Sequence, residues 1–269
     1  MTTEIHSGRS GNWPVSLQYR LVALAWLLCV GSGAWAAPEE IQVYMDEMDA
    51  PGQFGLDVHV NDVPSSSVPP QYAGQLPSAH LFRVTPEFSW GWTPDIELGA
   101  YLLTTTDVQA GTQVDGEKFR IKYIAPRTPD QTWFWGGNFE IGRVSQLLDI
   151  NPWNAELKGI IGDRIGRWTL AANLNYDWVV SGPVPEPATF ELDSKIGYSV
   201  TAHTQIGIES YNGLGAANDP GSFGQFSQVT YAVIDTSVHG WDLNFGVGRG
   251  TTGVSDNWVV KAIIGVPFD

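Results

Sequence analysis

From Gln53 to the C-terminus, apolar and polar residues alternate with a period of two, the pattern of strands whose two faces meet different surroundings. Between His80 and Trp92, Phe82, Val84, Pro86, Phe88 and Trp90 share one face, and Arg83, Thr85, Glu87 and Ser89 the other. Ile96, Leu98, Ala100 and Leu102 then alternate with Glu97, Gly99 and Tyr101, and Phe119, Ile121 and Tyr123 with Lys118, Arg120, Lys122 and Ile124. Further on, Trp133, Trp135, Phe139 and Ile141 oppose Phe134, Asn138 and Glu140, and Leu157 and Ile161 oppose Glu156 and Lys158. Leu170, Ala172, Leu174 and Tyr176 oppose Thr169, Asn173, Asn175 and Asp177. Weaker alternation runs through Phe190–Tyr198, Gln205–Tyr211 and Phe226–Asp235, and strong alternation returns at Trp241–Val247 and Trp258–Phe268. With Phe54, Leu56, Val58 and Val60 opening the series, the pattern predicts about twelve strands of roughly 8–12 residues, long enough to cross a bilayer when tilted.

The links between these segments alternate in length. Short ones fall at Thr93–Pro94, Pro126–Asp130, Ile165–Arg167, Thr201–Thr204 and Ser237–Gly240. Long ones rich in Pro, Ser and Gly fall at Asp62–Ala79, Thr104–Asp115, Val144–Pro152, Val180–Pro187, Asn212–Gly224 and Gly248–Asn257. Short inner turns and long outer loops characterise transmembrane up-and-down barrels, and the alternation places both termini on the periplasmic side. Aromatic residues cluster accordingly. Trp90, Trp92, Tyr123, Trp133, Trp168, Tyr198, Trp241 and Phe268 lie at the short-turn ends, and Trp153, Trp178, Tyr211, Phe226 and Trp258 near the long-loop ends. Two such girdles suit the two membrane interfaces.

Composition sharpens this picture. The chain is only 16% charged and contains 30 Gly and 12 Trp, yet its mean hydropathy is −0.10. Hydrophobicity is therefore spread thinly over many segments, as in a membrane barrel rather than a helical membrane protein. The one apolar run, Leu21–Val30, is too short to span; it follows Arg20 and precedes Ala34-Trp35-Ala36, so residues 1–36 read as a cleavable leader. Residues 37–52 are then expected to form a periplasmic N-terminal segment and 53–269 the barrel. Cleavage removes the single cysteine, Cys29, and with it any disulfide or thiolate metal site. It also leaves 12 Lys and Arg against 28 Asp and Glu, a surface that excludes nucleic acid as a partner.

The inward faces carry the candidate functional residues: Arg83, Glu87, Glu97, Lys118, Arg120, Lys122, Glu140, Glu156, Lys158, Glu191, Asp193, Lys195, Glu209 and Lys261. Such a set either forms ion pairs that stiffen a narrow barrel or lines a selective pore for small solutes, and the two uses are compatible. Because both signs alternate around the wall, strong ion selectivity is not expected. Catalysis would need a nucleophile, a His and an acid together. His203 and His239 fall in short turns, His80 lies at a loop edge near Ser78, and His59 faces inward beside Asp57. No established catalytic or phosphate-binding motif accompanies them, and no catalytic residue, metal or cofactor is expected. The alternatives to a channel are a non-conducting structural or interaction barrel, with the Asp62–Ala79 loop folded inward or exposed to partners, and, ranked below it, an outer-membrane hydrolase relying on His59 or His80.

Three stretches carry a family resemblance: Ile41-Gln42-Val43-Tyr44 through Ala50-Pro51-Gly52-Gln53-Phe54-Gly55-Leu56, Arg83-Val84-Thr85-Pro86-Glu87-Phe88-Ser89, and Trp258-Val259-Val260-Lys261-Ala262-Ile263-Ile264-Gly265. Together they resemble a family of proteobacterial outer-membrane β-barrel proteins, loosely similar to the barrels associated with meta-pathway phenol degradation. The resemblance spans nearly the whole mature chain and implies a location in the outer-membrane lipid bilayer. The C-terminal strand Asn257–Asp269, closing near Phe268, has the form that the barrel assembly machinery reads.

Overall fold

The computed structural model describes residues 40–107, 111–222 and 224–267. The expected leader and Phe268 lie outside them. The described residues form twelve strands: β1 (Phe54–Ser65), β2 (Phe82–Thr93), β3 (Ile96–Asp107), β4 (Gly111–Ile124), β5 (Trp133–Val144), β6 (Trp153–Ile165), β7 (Trp168–Ser181), β8 (Thr189–Ser199), β9 (Thr204–Ala216), β10 (Gln228–Val238), β11 (Trp241–Gly250) and β12 (Trp258–Gly265). Each pairs antiparallel with its neighbours in sequence, and β1 pairs with β12 through Val58↔Ile264 and Asn61↔Lys261. The sheet is thus a closed barrel without free edges.

Period-two patterning decides which way each side chain points. Along β2, Arg83, Thr85 and Glu87 are buried while Phe82 and Phe88 are exposed. Along β4, Arg120 and Lys122 are buried while Phe119, Ile121 and Tyr123 are exposed. The barrel is inverted relative to a water-soluble one, with charges inside and Leu157, Ile161, Leu174, Ile196, Ile208, Phe245 and Val247 on its outer surface. Water-soluble monomers rarely expose apolar patches beyond a few hundred Å². A belt that runs right round the barrel is suited to hydrocarbon. Trp92, Trp133, Trp168 and Trp241 are exposed at the short-turn end, and Trp153 and Trp258 at the other. Tyr198 packs on Trp168 at 4.8 Å, and Trp178 packs against Phe139 and Tyr176.

Several details depart from expectation. The stretch Thr104–Asp115 is largely paired strand, with Thr104↔Val114 and Thr106↔Thr112 in register, because a β-branched threonine run favours extended pairing over a loop. Tyr211 belongs to the lumen and not to the outer girdle: it lies two residues after the inward Glu209, and its hydroxyl donates to that carboxylate at 2.9 Å. Phe226 precedes β10 and packs into loop space, where a Cβ on Gly215 or Gly221 would strike its ring.

The largest departure concerns residues 40–52 of the segment 37–52 expected to lie in the periplasm; residues 37–39 lie outside the described residues. Residues 40–49 instead pack inside the barrel: Ile41, Val43 and Tyr44 are almost wholly buried against inward side chains of the strands. The apolar residues of this segment and its backbone polar groups both find partners on the inner wall. The chain then turns at 50–53, where Gly52 N–H donates to Gly91 O at 2.7 Å and Gly91 N–H to Gln53 O at 3.0 Å. Glycine is required at 91, since a Cβ there would collide with the carbonyl oxygens of Asp49 and Ala50.

Candidate functional site

The lumen is a large polar interior, and among the described residues two kinds of contact fill it. The first joins the wall to itself. Glu87 accepts from Arg120 Nε at 2.6 Å and lies 3.0 Å from His59 Nε2, while Arg120 also reaches Glu97 at 2.8 Å. Gly99 makes this possible, because a Cβ there would press into the Arg120 side chain at 2.6 Å. Across the barrel, Glu209 is paired with Lys261 and Lys195, the latter at 3.1 Å, and Lys195 also reaches Asp235 at 2.9 Å. Lys158 pairs with Glu156 at 3.3 Å, and Asp193 accepts from Asn175 at 2.8 Å. Buried charges of this kind persist only when paired and hydrogen-bonded.

The second kind joins the wall to the N-terminal segment. Asn173 clamps Tyr44 as a strand partner would, accepting from its N–H at 2.6 Å and donating to its carbonyl at 2.9 Å. The Tyr44 hydroxyl meets Tyr101 Oη at 2.6 Å and donates to Glu140 at 3.1 Å, and Lys158 Nζ sits 4.3 Å from its ring centroid. Lys261 donates to Ile41 O at 2.9 Å, and Lys122 to Glu47 O at 2.7 Å. Nearer the short-turn rim, Asp46 pairs with Arg127 and Arg164, each at 2.5 Å, and Arg164 also holds Glu47 at 2.9 Å. Asp49 accepts from Ser89 Oγ at 2.6 Å and donates its N–H to Glu97 at 2.6 Å. Phe134, fully buried under Arg127 and Arg164, forms the apolar bed for Val43 and Tyr44. Burial, reinforced by Glu140 and Glu87, pushes Glu40 up to about 7.

Every charged residue singled out on the inward faces is buried or half-buried on the inner wall. The wall does not pair simply by strand neighbourhood. Arg120 sits opposite Glu140 in register but turns to Glu87 and Glu97, leaving Glu140 to Tyr44, Tyr101 and Asn138. Lys118 and Arg83 also have interaction partners. Asn173, Tyr44, Phe134 and Tyr101, which complete the site, carry no charge, so a search for charged inward residues passes over them.

The long-loop end is covered as well. The 66–81 loop crosses the mouth to the β5–β6 loop, where Leu76 N–H donates to Leu147 O at 2.8 Å and the Tyr72 hydroxyl to Gln146 O at 3.0 Å. Its Ser78 donates to Asp256 at 2.6 Å on the β11–β12 loop. This commits the Ser78 hydroxyl to an acid, while His80 stands exposed at φ 64°. His59 is buried with Glu87 as its partner.

No protein-family model matches this chain, and no curated protein matches it. Solved structures do. An outer-membrane channel from Pseudomonas putida F1 superposes with a TM-score of 0.58 at 14% identity, covering 85% of this chain and 100% of that one. The KdgM porin superposes with a TM-score of 0.52 at 10% identity over 80% of this chain and 99% of that one. The same porin in complex with disordered oligogalacturonate also gives 0.52, at 9% identity. Likeness at this level of identity concerns architecture alone. The chain has the closed twelve-stranded antiparallel fold of outer-membrane porins and channels.

Proposed function

We propose that this protein is a porin-like outer-membrane channel for small solutes, closed in this conformation by its own N-terminal segment. The observation that carries the reading is residues 40–49 docked in a charged lumen through contacts separate from the strand pairing that closes the barrel. If the segment leaves, Lys122, Arg127, Arg164 and Asn173 lose their partners on it and line a water-filled path. Mixed charges on that path favour small polar solutes without strong ion selectivity, and a wall of twelve strands leaves room only for a thin channel.

The same reading includes the outer membrane as location, reached with a cleaved leader over 1–36 and through the barrel assembly machinery. It also includes kinship with the proteobacterial barrels associated with meta-pathway phenol degradation. The apolar outer belt and the fold shared with porins and channels support the outer-membrane location. In planar bilayers the intact mature chain is expected to open rarely, and a variant lacking residues 40–49 to give frequent, discrete conductance steps. A folded deletion variant that stays silent would overturn the channel and leave a structural barrel closed by its wall pairs and outer loops.

A further inference from the structure

We propose that Glu40, His59 and Glu87 form a binding site for a divalent transition-metal ion of the Zn²⁺ type, which latches the N-terminal segment to the barrel wall. The latch rests on the channel reading above; the metal site does not. One ligand atom from each residue lies within 4.8 Å of the others, and each residue comes from a different piece of chain: the docked segment, β1 and β2.

One atom of the cluster is left without a partner by the protein itself. Glu40 Oε1 is buried and makes no hydrogen bond among the described residues, and the His59 side chain, whose Nε2 faces Glu87 Oε2 at 3.0 Å, is among the most deeply buried of them. Buried polar atoms of this kind call for an explanation, and an ion is one.

The donor set selects the class of ion. One imidazole nitrogen with two carboxylates suits Zn²⁺ and its neighbours, whereas Ca²⁺ and Mg²⁺ favour all-oxygen shells. Glu40 and Glu87 bring two negative charges to the site, one of them shared with Arg120. Glu87 is already steered, because Arg120 holds its Oε1 at 2.6 Å and leaves Oε2 on the His59 side. A second shell of this kind orients a ligand for its metal. Zinc at roughly 2.0–2.1 Å from each ligand needs the three atoms roughly 3.3 Å apart, a contraction that side-chain rotations supply. A fourth position remains for water or solute.

The test uses the folded mature barrel, stripped with a chelator and titrated with Co²⁺, whose visible absorption reports coordination, and then with Zn²⁺ against a chromophoric chelator. One ion per chain is expected. Glu40→Gln, which changes the segment and leaves the wall intact, should weaken Zn²⁺ binding at least about tenfold. His59→Gln should abolish the visible Co²⁺ band. Absence of stoichiometric binding, or binding unchanged in Glu40→Gln, overturns the site. In bilayers, Zn²⁺ should lower the opening frequency of the intact chain but not of Glu40→Gln; binding without that effect overturns the latch. A silent 40–49 deletion refutes the channel and leaves the titration to judge the metal site by itself.

Discussion

The wall-to-wall contacts of the lumen and the wall-to-segment contacts differ in what each can lose. Arg120, Glu87, Glu97 and His59 are all carried on strands, as are Lys195, Glu209, Asp235 and Lys261, so these pairs hold as long as the barrel does. Asn173, Lys122, Arg127 and Arg164 bond instead to backbone groups and acids of residues 44–47, a short stretch joined to β1 through the turn at 50–53. One set stiffens the barrel and the other closes it. Lys261 belongs to both, holding Glu209 on β9 and the carbonyl of Ile41 on the segment.

This division predicts separable effects of substitution. Breaking a wall network should cost most: Arg120→Met leaves Glu87 and Glu97 buried without their cation and should destabilise the barrel by about 3–5 kcal/mol, measured by urea unfolding in lipid vesicles. Equal stability to the native chain would show that these pairs do not hold the wall. Next comes the bed beneath the segment. Phe134→Ala should cost about 3 kcal/mol, mostly in docking of residues 43–44, seen as faster amide exchange over 40–49 with the strands unchanged. Asn173→Ala, which removes both bonds to Tyr44, should weaken docking by about 1–3 kcal/mol and raise channel opening at least about tenfold. The rim pairs should matter least. Arg127 and Arg164 are about one-third exposed, so Arg127→Ala should change docking by about 1 kcal/mol or less, an effect that shrinks as salt is raised. A loss at the rim larger than the loss at Asn173 would reverse the ordering.

Much of this was legible in the sequence. Alternation with a period of two fixes which residues face inward, because a one-residue slip would put Arg120 or Lys261 into the apolar belt. The strand count and the inward charges follow from that. The docked segment does not, because periodicity reports which face of an element is apolar and not where a short segment outside the strands will pack. A signal was present nonetheless: Ile41, Val43, Tyr44, Met45 and Met48 make an apolar run that would be costly to leave in water. Asn173 reads as one more polar inward residue until its amide is seen to complete a strand-like pair with Tyr44. The preference of tyrosine for interfaces suggests the outer girdle for Tyr211, whereas parity from Glu209 puts it inside. Loop length misled at Thr104–Asp115 because threonine served equally as a loop residue and a strand residue.

That the N-terminal segment is a removable closure can be tested by putting it back. A synthetic peptide of residues 40–50, added to the short-turn side of bilayers holding the 40–49 deletion channel, should close open channels, and should do so much less well when the channel also carries Asn173→Ala. Conductance unchanged by the peptide, in a deletion channel no more active than the intact chain, would contradict the account.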